Sequence, residues 1–209
     1  MKTKTILFDL DGCLIHSWPF IMASFDHVLS HFGFPKDGLA HPKMRHCTLL
    51  QAYEHLGLSL QADTATRLHL EFQNTNTHLI HAFPASALVL ENCNSRFHIG
   101  VVSNRQKNTA QLLRHCNLFD HVDLIISAED VFRSKPHPEG IFQAMEYFGT
   151  HPEHTVMVGD TPPDILAGKA AGVSTIAIDG SDCLEELRKA KPNYLLRDMS
   201  ELIPLLDHI

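Results

Sequence analysis

The sequence predicts an α/β fold: a Rossmann-like parallel sheet with flanking helices, interrupted by an inserted α-helical domain. Three observations predict it. Short runs rich in β-branched residues recur, each followed by a helical pattern, which is the alternation of a parallel sheet with crossover helices. Several of these runs are apolar at consecutive positions, as strands covered on both faces require. Between the first and second runs lie about 90 residues without a strand signal, far more than the dozen that a crossover needs.

The elements follow in order. Residues 5–8 read as the first strand, whose apolar run stops at Asp9. In the long gap, Ile21, Phe25, Val28, Leu29 and Phe32 fall at helical spacing. Leu49, Leu50, Tyr53 and Leu56 do the same, as do Leu68, Phe72, Leu79 and Ile80. Gly33 with Pro35, and Gly57, mark the breaks between these helices, and Pro84 marks the return to the sheet. The division expected is a core domain at 1–14 and 83–209 and a helical domain at 15–82. Strands are then expected at 97–102, 122–126, 155–158 and 174–178.

Composition narrows the function. A chain of 209 residues can hold one sizeable core with a smaller insertion. The 44% hydrophobic and 20% charged fractions are those of an ordinary globular protein. Acids outnumber bases 24 to 17, for a net charge of -7, and no basic run stands out. Nucleic acid and anionic membrane are therefore poor partners, and an anionic ligand needs a local cation to offset the overall field. The five cysteines (Cys13, Cys47, Cys93, Cys116, Cys183) are odd in number and form no CxxC pair, which points to free thiols in a reducing compartment. No stretch approaches the roughly 18 apolar residues of a membrane span, and Asp9 cuts the first apolar run short of a signal-peptide core. The expectation is a cytoplasmic protein, monomer or homodimer, with no nucleic acid and no membrane partner.

In an open parallel sheet, ligands bind beyond the carboxyl ends of the strands. Asp9 and Asp11 follow the first strand in DLDG, and Ser103 and Asn104 follow the second in VVSNR. Asp160 and Asp164 follow the fourth in VGDTPPD, and the loop SKPHPEG offers Lys135. Taken singly each has a structural explanation: a turn for Asp11-Gly12, a helix cap for Ser103, a solvated loop for Lys135, a helix first turn for Asp164. Their joint placement at the strand ends is what those explanations leave out. Together they suit phosphoryl transfer. One carboxylate attacks phosphorus, acids from two strands share a divalent ion, and a lysine and a hydroxyl hold the equatorial oxygens. A second acid, two residues on, can carry the proton of the leaving oxygen. Oxygen ligands without His or Cys suggest Mg²⁺.

DLDG at 9–12, the VVSN strand end, Lys135 in SKPHPEG, and GDTPPDILAGKAAG at 159–172 resemble the four ordered motifs of the haloacid dehalogenase superfamily. Within it they are similar to the phosphoglycolate phosphatase-like branch, which carries a helical cap between its first two motifs. The resemblance implies a phosphatase that uses Mg²⁺ on a small phosphorylated metabolite. It implies Asp9 as nucleophile and Asp11 as general acid and base. Ser103 and Lys135 would bind phosphate, with Asn104 shaping the pocket, and Asp160 would bind the metal with Asp9 and the backbone carbonyl of Asp11. Asp164 would support the metal or orient Lys135. Dehalogenating members lack an acid at the position of Asp11, so its presence implies phosphate esters rather than C-halogen bonds.

Two residues depart from the family pattern. Cys13 stands where Thr is usual, and His16 stands where an acid is often found. His16 is equally a candidate for substrate contact and for the hinge to the inserted domain. In that domain Arg45, in a basic cluster with Lys43 and His41, is a candidate reader of a substrate anion. The pairs His27/His31 and His78/His81 have metal-ligand spacing but lack the acid of a zinc protease motif. A sugar-phosphate mutase, a diphosphatase and a non-catalytic phosphometabolite-binding protein stay open as alternatives.

Overall fold

The computed structural model describes residues 4–34, 49–180 and 183–207. Arg45, with its neighbours Lys43 and His41, lies outside the described residues. The chain packs into two compact units, one of residues 1–16 with 81–209 and one of residues 17–80.

The first unit is built on a six-stranded sheet. Its elements begin with β1 (Lys4–Phe8) and β2 (Ile15–His16) and resume with β3 (His81–Ala82) after three helices of the second unit, α1 (Trp18–His31), α2 (Leu49–His55) and α3 (Ala62–Thr75). There follow α4 (Ser86–Asn94), β4 (Phe97–Val102), α5 (Thr109–His115), β5 (Leu124–Ile126), α6 (Glu139–Phe148) and β6 (Thr155–Gly159). The chain continues through α7 (Pro162–Ala171), β7 (Ser174–Ile178), α8 (Leu184–Ala190), β8 (Tyr194–Leu196) and α9 (Leu202–Leu205). The sheet order is β5-β4-β1-β6-β7-β8, and every pairing in it is parallel. The chain winds from β1 to β4 and β5 on one side and returns to β6, β7 and β8 on the other. The order thus reverses at β1, the place where an open α/β sheet leaves a crevice at its carboxyl edge.

The apolar runs do what consecutive burial requires. Ile6, Leu7 and Phe8 in β1 and Ile99, Val101 and Val102 in β4 are buried, because helices cover both faces. On one face Leu7, Val102 and Met157 pack with Ile141, Ala144 and Met145 of α6 and with Ala167 and Ala171 of α7.

Some elements differ from the sequence expectation. The strand expected at 122–126 begins only at Leu124, since Phe119–His121 forms a 3-10 turn. Asp123 joins the edge of β4 through one backbone and one side-chain bond, its N–H donating to the Ile99 carbonyl at 2.8 Å and its carboxylate accepting from the Ile99 N–H at 2.9 Å. β8 was not expected: it is a short edge strand, exposed or half-buried, so it shows no apolar run. β2 and β3 were not expected either. These two-residue strands pair antiparallel, Ile15 opposite Ala82 and His16 opposite His81.

In the second unit α1 and α2 pack on α3 around Phe25, Val28, Leu29, Ala52, Tyr53 and Leu58. The third helical stretch is shorter than its periodicity suggests. Asn76 ends α3, its side-chain amide donating to the Phe72 carbonyl at 2.8 Å, and Thr77–Leu79 continues as a 3-10 turn. Buried in this core, Tyr53 Oη lies 2.8 Å from His69 Nδ1, and Gln73 Nε2 lies 2.9 Å from His69 Nε2. Among the described residues no helix is long and apolar enough to cross a membrane.

Candidate active site

Asp9 sits one residue past β1 and keeps the strand's register, its N–H donating to the Val158 carbonyl at 2.8 Å. Its side chain is buried and its Oδ1 accepts from Lys135 Nζ at 2.6 Å. The same ammonium donates to Asp164 Oδ1 and to the Val102 carbonyl, each at 2.6 Å, so all three of its protons are engaged. Lys135 arrives from the loop before α6. That loop is pinned by the Asn104 side chain, which donates to the Lys135 carbonyl at 2.9 Å. It is pinned again by Glu139, whose carboxylate accepts from the N–H groups of Phe132 and Arg133 at 2.7 and 3.1 Å.

Asp164 occupies the third position of α7 and serves two purposes. Its Oδ2 closes a capping box by accepting from the Thr161 N–H and hydroxyl at 3.0 and 2.6 Å. Its Oδ1 holds Lys135. One side chain thus both caps the helix start and bonds the lysine. Asp160, at the end of β6, is fully buried. Oxygens of Asp9, Asp160 and Asp164 all lie within 4.8 Å of one another.

Such crowding has an electrostatic cost. The Asp9 carboxyl is pushed up to about 7: burial raises it most, Lys135 works against that, and Asp164 and Asp11 add to the rise. Burial also works to lower the Lys135 amine, but Asp164 and Asp9 overcome it and hold the ammonium above its ordinary value. Three buried carboxylates need more positive charge than one lysine brings. Their hard oxygens, with no nitrogen or sulfur ligand among them, fit a divalent ion of the Mg²⁺ type.

Ser103 follows β4, is buried, and donates its N–H to the Ile126 carbonyl at 2.9 Å; its Oγ accepts from the Arg105 N–H at 3.2 Å. Asp11 takes a different direction from Asp9. Its carboxylate is held by Arg105, with Nε to Oδ2 at 2.9 Å and Nη2 to Oδ1 at 2.7 Å. Gly12, at φ 86°, turns the chain between Asp11 and β2 in a conformation that favours glycine. The structure thus brings Asp9, Lys135, Asp160 and Asp164 together, with Ser103 and Asn104 on the adjoining strand end, and gives Asp11 a cation of its own. His16 is exposed on β2, its ring against Phe83 at 5.4 Å. Cys13 is buried, with Sγ 3.8 Å from the Val158 carbonyl.

The residue that sequence reasoning missed is Arg105. Its signal was its place directly after Ser103-Asn104 in VVSNR.

The sequence pattern of the haloacid dehalogenase-like hydrolases matches residues 6–178, which takes in all of these side chains. The chain is a haloacid dehalogenase-like hydrolase. Pyrophosphatase PpaX of Oceanobacillus iheyensis is 32% identical over 213 residues, covering 99% of this chain and 98% of the relative. The PpaX of Bacillus pumilus is 30% identical, with 97% and 96% covered. Among solved structures, a haloacid dehalogenase-like family hydrolase of Streptococcus pneumoniae superposes with a TM-score of 0.88 at 21% identity, covering 98% of each chain. A phosphoglycolate phosphatase-like protein of Lactobacillus plantarum gives 0.86 at 23% identity, covering 98% of this chain and all of the other. At that identity the two structures speak for the fold of this haloacid dehalogenase-like chain.

Proposed function

We propose that this hydrolase is a Mg²⁺-dependent phosphatase of small phosphorylated compounds that works through an aspartyl phosphate on Asp9. The observation that carries the reading is the buried Asp9 carboxylate at the sheet's switch point, held by Lys135 and flanked by Asp160 and Asp164. In the first step a carboxylate oxygen of Asp9 attacks phosphorus, and the bond to the leaving oxygen breaks as Asp11 protonates it. In the second, water attacks the aspartyl phosphate while Asp11 takes its proton, and phosphate leaves. Ser103 holds the phosphoryl oxygens, and Lys135 joins it by turning one of its three protons from its present partners to the phosphoryl group while it keeps Asp9 in direction. Asp9, Asp160 and the carbonyl of Asp11 would hold Mg²⁺, which would supply Lewis-acid neutralisation of the phosphoryl charge. The helical unit is taken as the cap that excludes water, and the free thiols of Cys13, Cys93, Cys116 and Cys183 suit a cytoplasmic setting.

Two substrates have support. The name of the Oceanobacillus iheyensis relative, similar over almost its whole length, favours pyrophosphate. The branch resemblance favours a phosphomonoester such as phosphoglycolate. The test is phosphate release from a panel of both kinds, with Mg²⁺ or with chelator, beside Asp9→Asn. Turnover is expected only for the wild type with Mg²⁺. Activity that survives Asp9→Asn would sink the mechanism.

A further inference from the structure

Arg105 stands between two parts of the site. Its backbone N–H bonds to Ser103 Oγ, on the phosphate-binding strand end, and its guanidinium grips Asp11 by both oxygens. Its side chain is 8% exposed and that of Asp11 23%, so the pair is largely out of water, where a fork of this kind is strong. The Arg105 carbonyl accepts from the Ala128 N–H at 3.1 Å, which fixes the base of the side chain. A carboxylate held in this way is oriented for the guanidinium and not for a leaving oxygen. For Asp11 to serve the first step of the proposed reaction, the fork must open.

What can open it is another anion. A proton carrier sits within one hydrogen bond, about 3 Å, of the leaving oxygen. Asp11 reaches that oxygen by turning its side chain out of the fork, so the guanidinium it leaves lies within a side chain's reach of the leaving group. Lys135 stands at Asp9, on the side of the transferred phosphoryl group, whereas Arg105 stands at Asp11 and, among the described residues, is a cation placed to receive a charge that the leaving group carries. We propose that Arg105 is a specificity latch: it holds Asp11 while the site is empty and exchanges it for a carboxylate or second phosphate on the leaving group, releasing the acid when such a substrate is seated. This rests on the phosphatase reading and adds the substrate class, phosphate compounds whose leaving group is itself anionic.

The test compares wild type, Arg105→Gln and Arg105→Lys, each checked for folding by thermal melting. The substrates are pyrophosphate and 2-phosphoglycolate, with anionic leaving groups, against ethyl phosphate and p-nitrophenyl phosphate. For the anionic pair, Arg105→Gln is expected to lower kcat/KM roughly 10- to 100-fold, chiefly through KM, the size of a lost charged hydrogen bond. For the neutral pair its kcat is expected to rise, because Asp11 starts unlatched. Arg105→Lys is expected to keep part of the preference, since it retains the charge without the fork, and it serves alone if Arg105→Gln does not fold. An equal loss on all four substrates, or no change in the preference, overturns the latch and leaves the phosphatase standing. A wild type inert on all four overturns the phosphatase reading, and the latch with it.

Discussion

Each unit of the molecule buries polar side chains, and the two do so to opposite ends. In the helical unit Tyr53, His69 and Gln73 form a chain of a phenol, an imidazole and an amide, hydrogen-bonded to one another and enclosed by apolar residues such as Phe25. Burial keeps the Tyr53 hydroxyl protonated by raising its pKa. In the sheet unit Asp9 and Asp164 share one ammonium and Asp160 stands beside them, with charge left over. The first arrangement pairs its members and ties α2 to α3. The second is held by the sheet in a state that it would not choose alone, which marks it as a place for chemistry.

The comparison breaks most sharply at Asp9. Asp9→Asn is expected to lower kcat by about 10⁴-fold or more, measured as phosphate release with Mg²⁺ present. Its stability should move the other way, with a definite pH dependence. The folded Asp9 carboxyl is raised to about 7, against about 3.9 in an unfolded chain. The folded state therefore holds a proton that the unfolded state gives up, and this contribution is full below pH about 4 and lost as pH rises through about 7. In chelator, the margin by which Asp9→Asn is more stable than wild type should widen over that window, by an amount on the order of a few kcal/mol. Urea denaturation at pH 5, 6, 7 and 8 measures it; a margin that stays flat contradicts the picture of an overcharged site. Mg²⁺ should narrow the margin by stabilising the wild type.

The helical unit should answer differently. His69→Ala leaves Tyr53 and Gln73 facing a cavity and is expected to cost about 3 kcal/mol in thermal or urea denaturation, with no change in the Mg²⁺ requirement. Gly159→Ala returns to the sheet unit, where a Cβ would overlap Asp164 Cβ and Cγ. Asp164 is tied at both oxygens and cannot step aside, so a loss of about 2 kcal/mol together with reduced phosphate release is expected. Tyr53→Phe is the mildest, about 1 kcal/mol in the same melts and no effect on the pH profile of turnover.

How much of this could be read from the sequence follows the same division. Asp9 and Asp160 were legible because strand ends can be located from apolar runs and these acids follow directly, whereas Lys135, in a loop, was legible only as one of the ordered motifs. Asp164 was legible twice over, as a helix-start acid and as a motif residue. Arg105 was not, since its partner Asp11 is 94 positions away and only the β1-β4 pairing brings the two strand ends side by side. His69 was passed over because a lone histidine on a helix says nothing about Tyr53 on another. β8 escaped because an edge strand needs no continuous apolar run, and β2 and β3 because two residues are too few for any period.

Those two shortest strands have the widest consequence. Because His16 lies opposite His81 and Ile15 opposite Ala82, the chain departs from the sheet unit and comes back to it at adjacent points. To the sheet, everything from 17 to 80 is the loop of a hairpin. Loop length weighs on stability only logarithmically, so such a seam tolerates inserts of very different size without disturbing the register of β1 against β4. The architecture is a socket: Asp9, Lys135, Asp160 and Asp164 stay with the sheet unit, and the chain that forms the other unit leaves and re-enters it through β2 and β3.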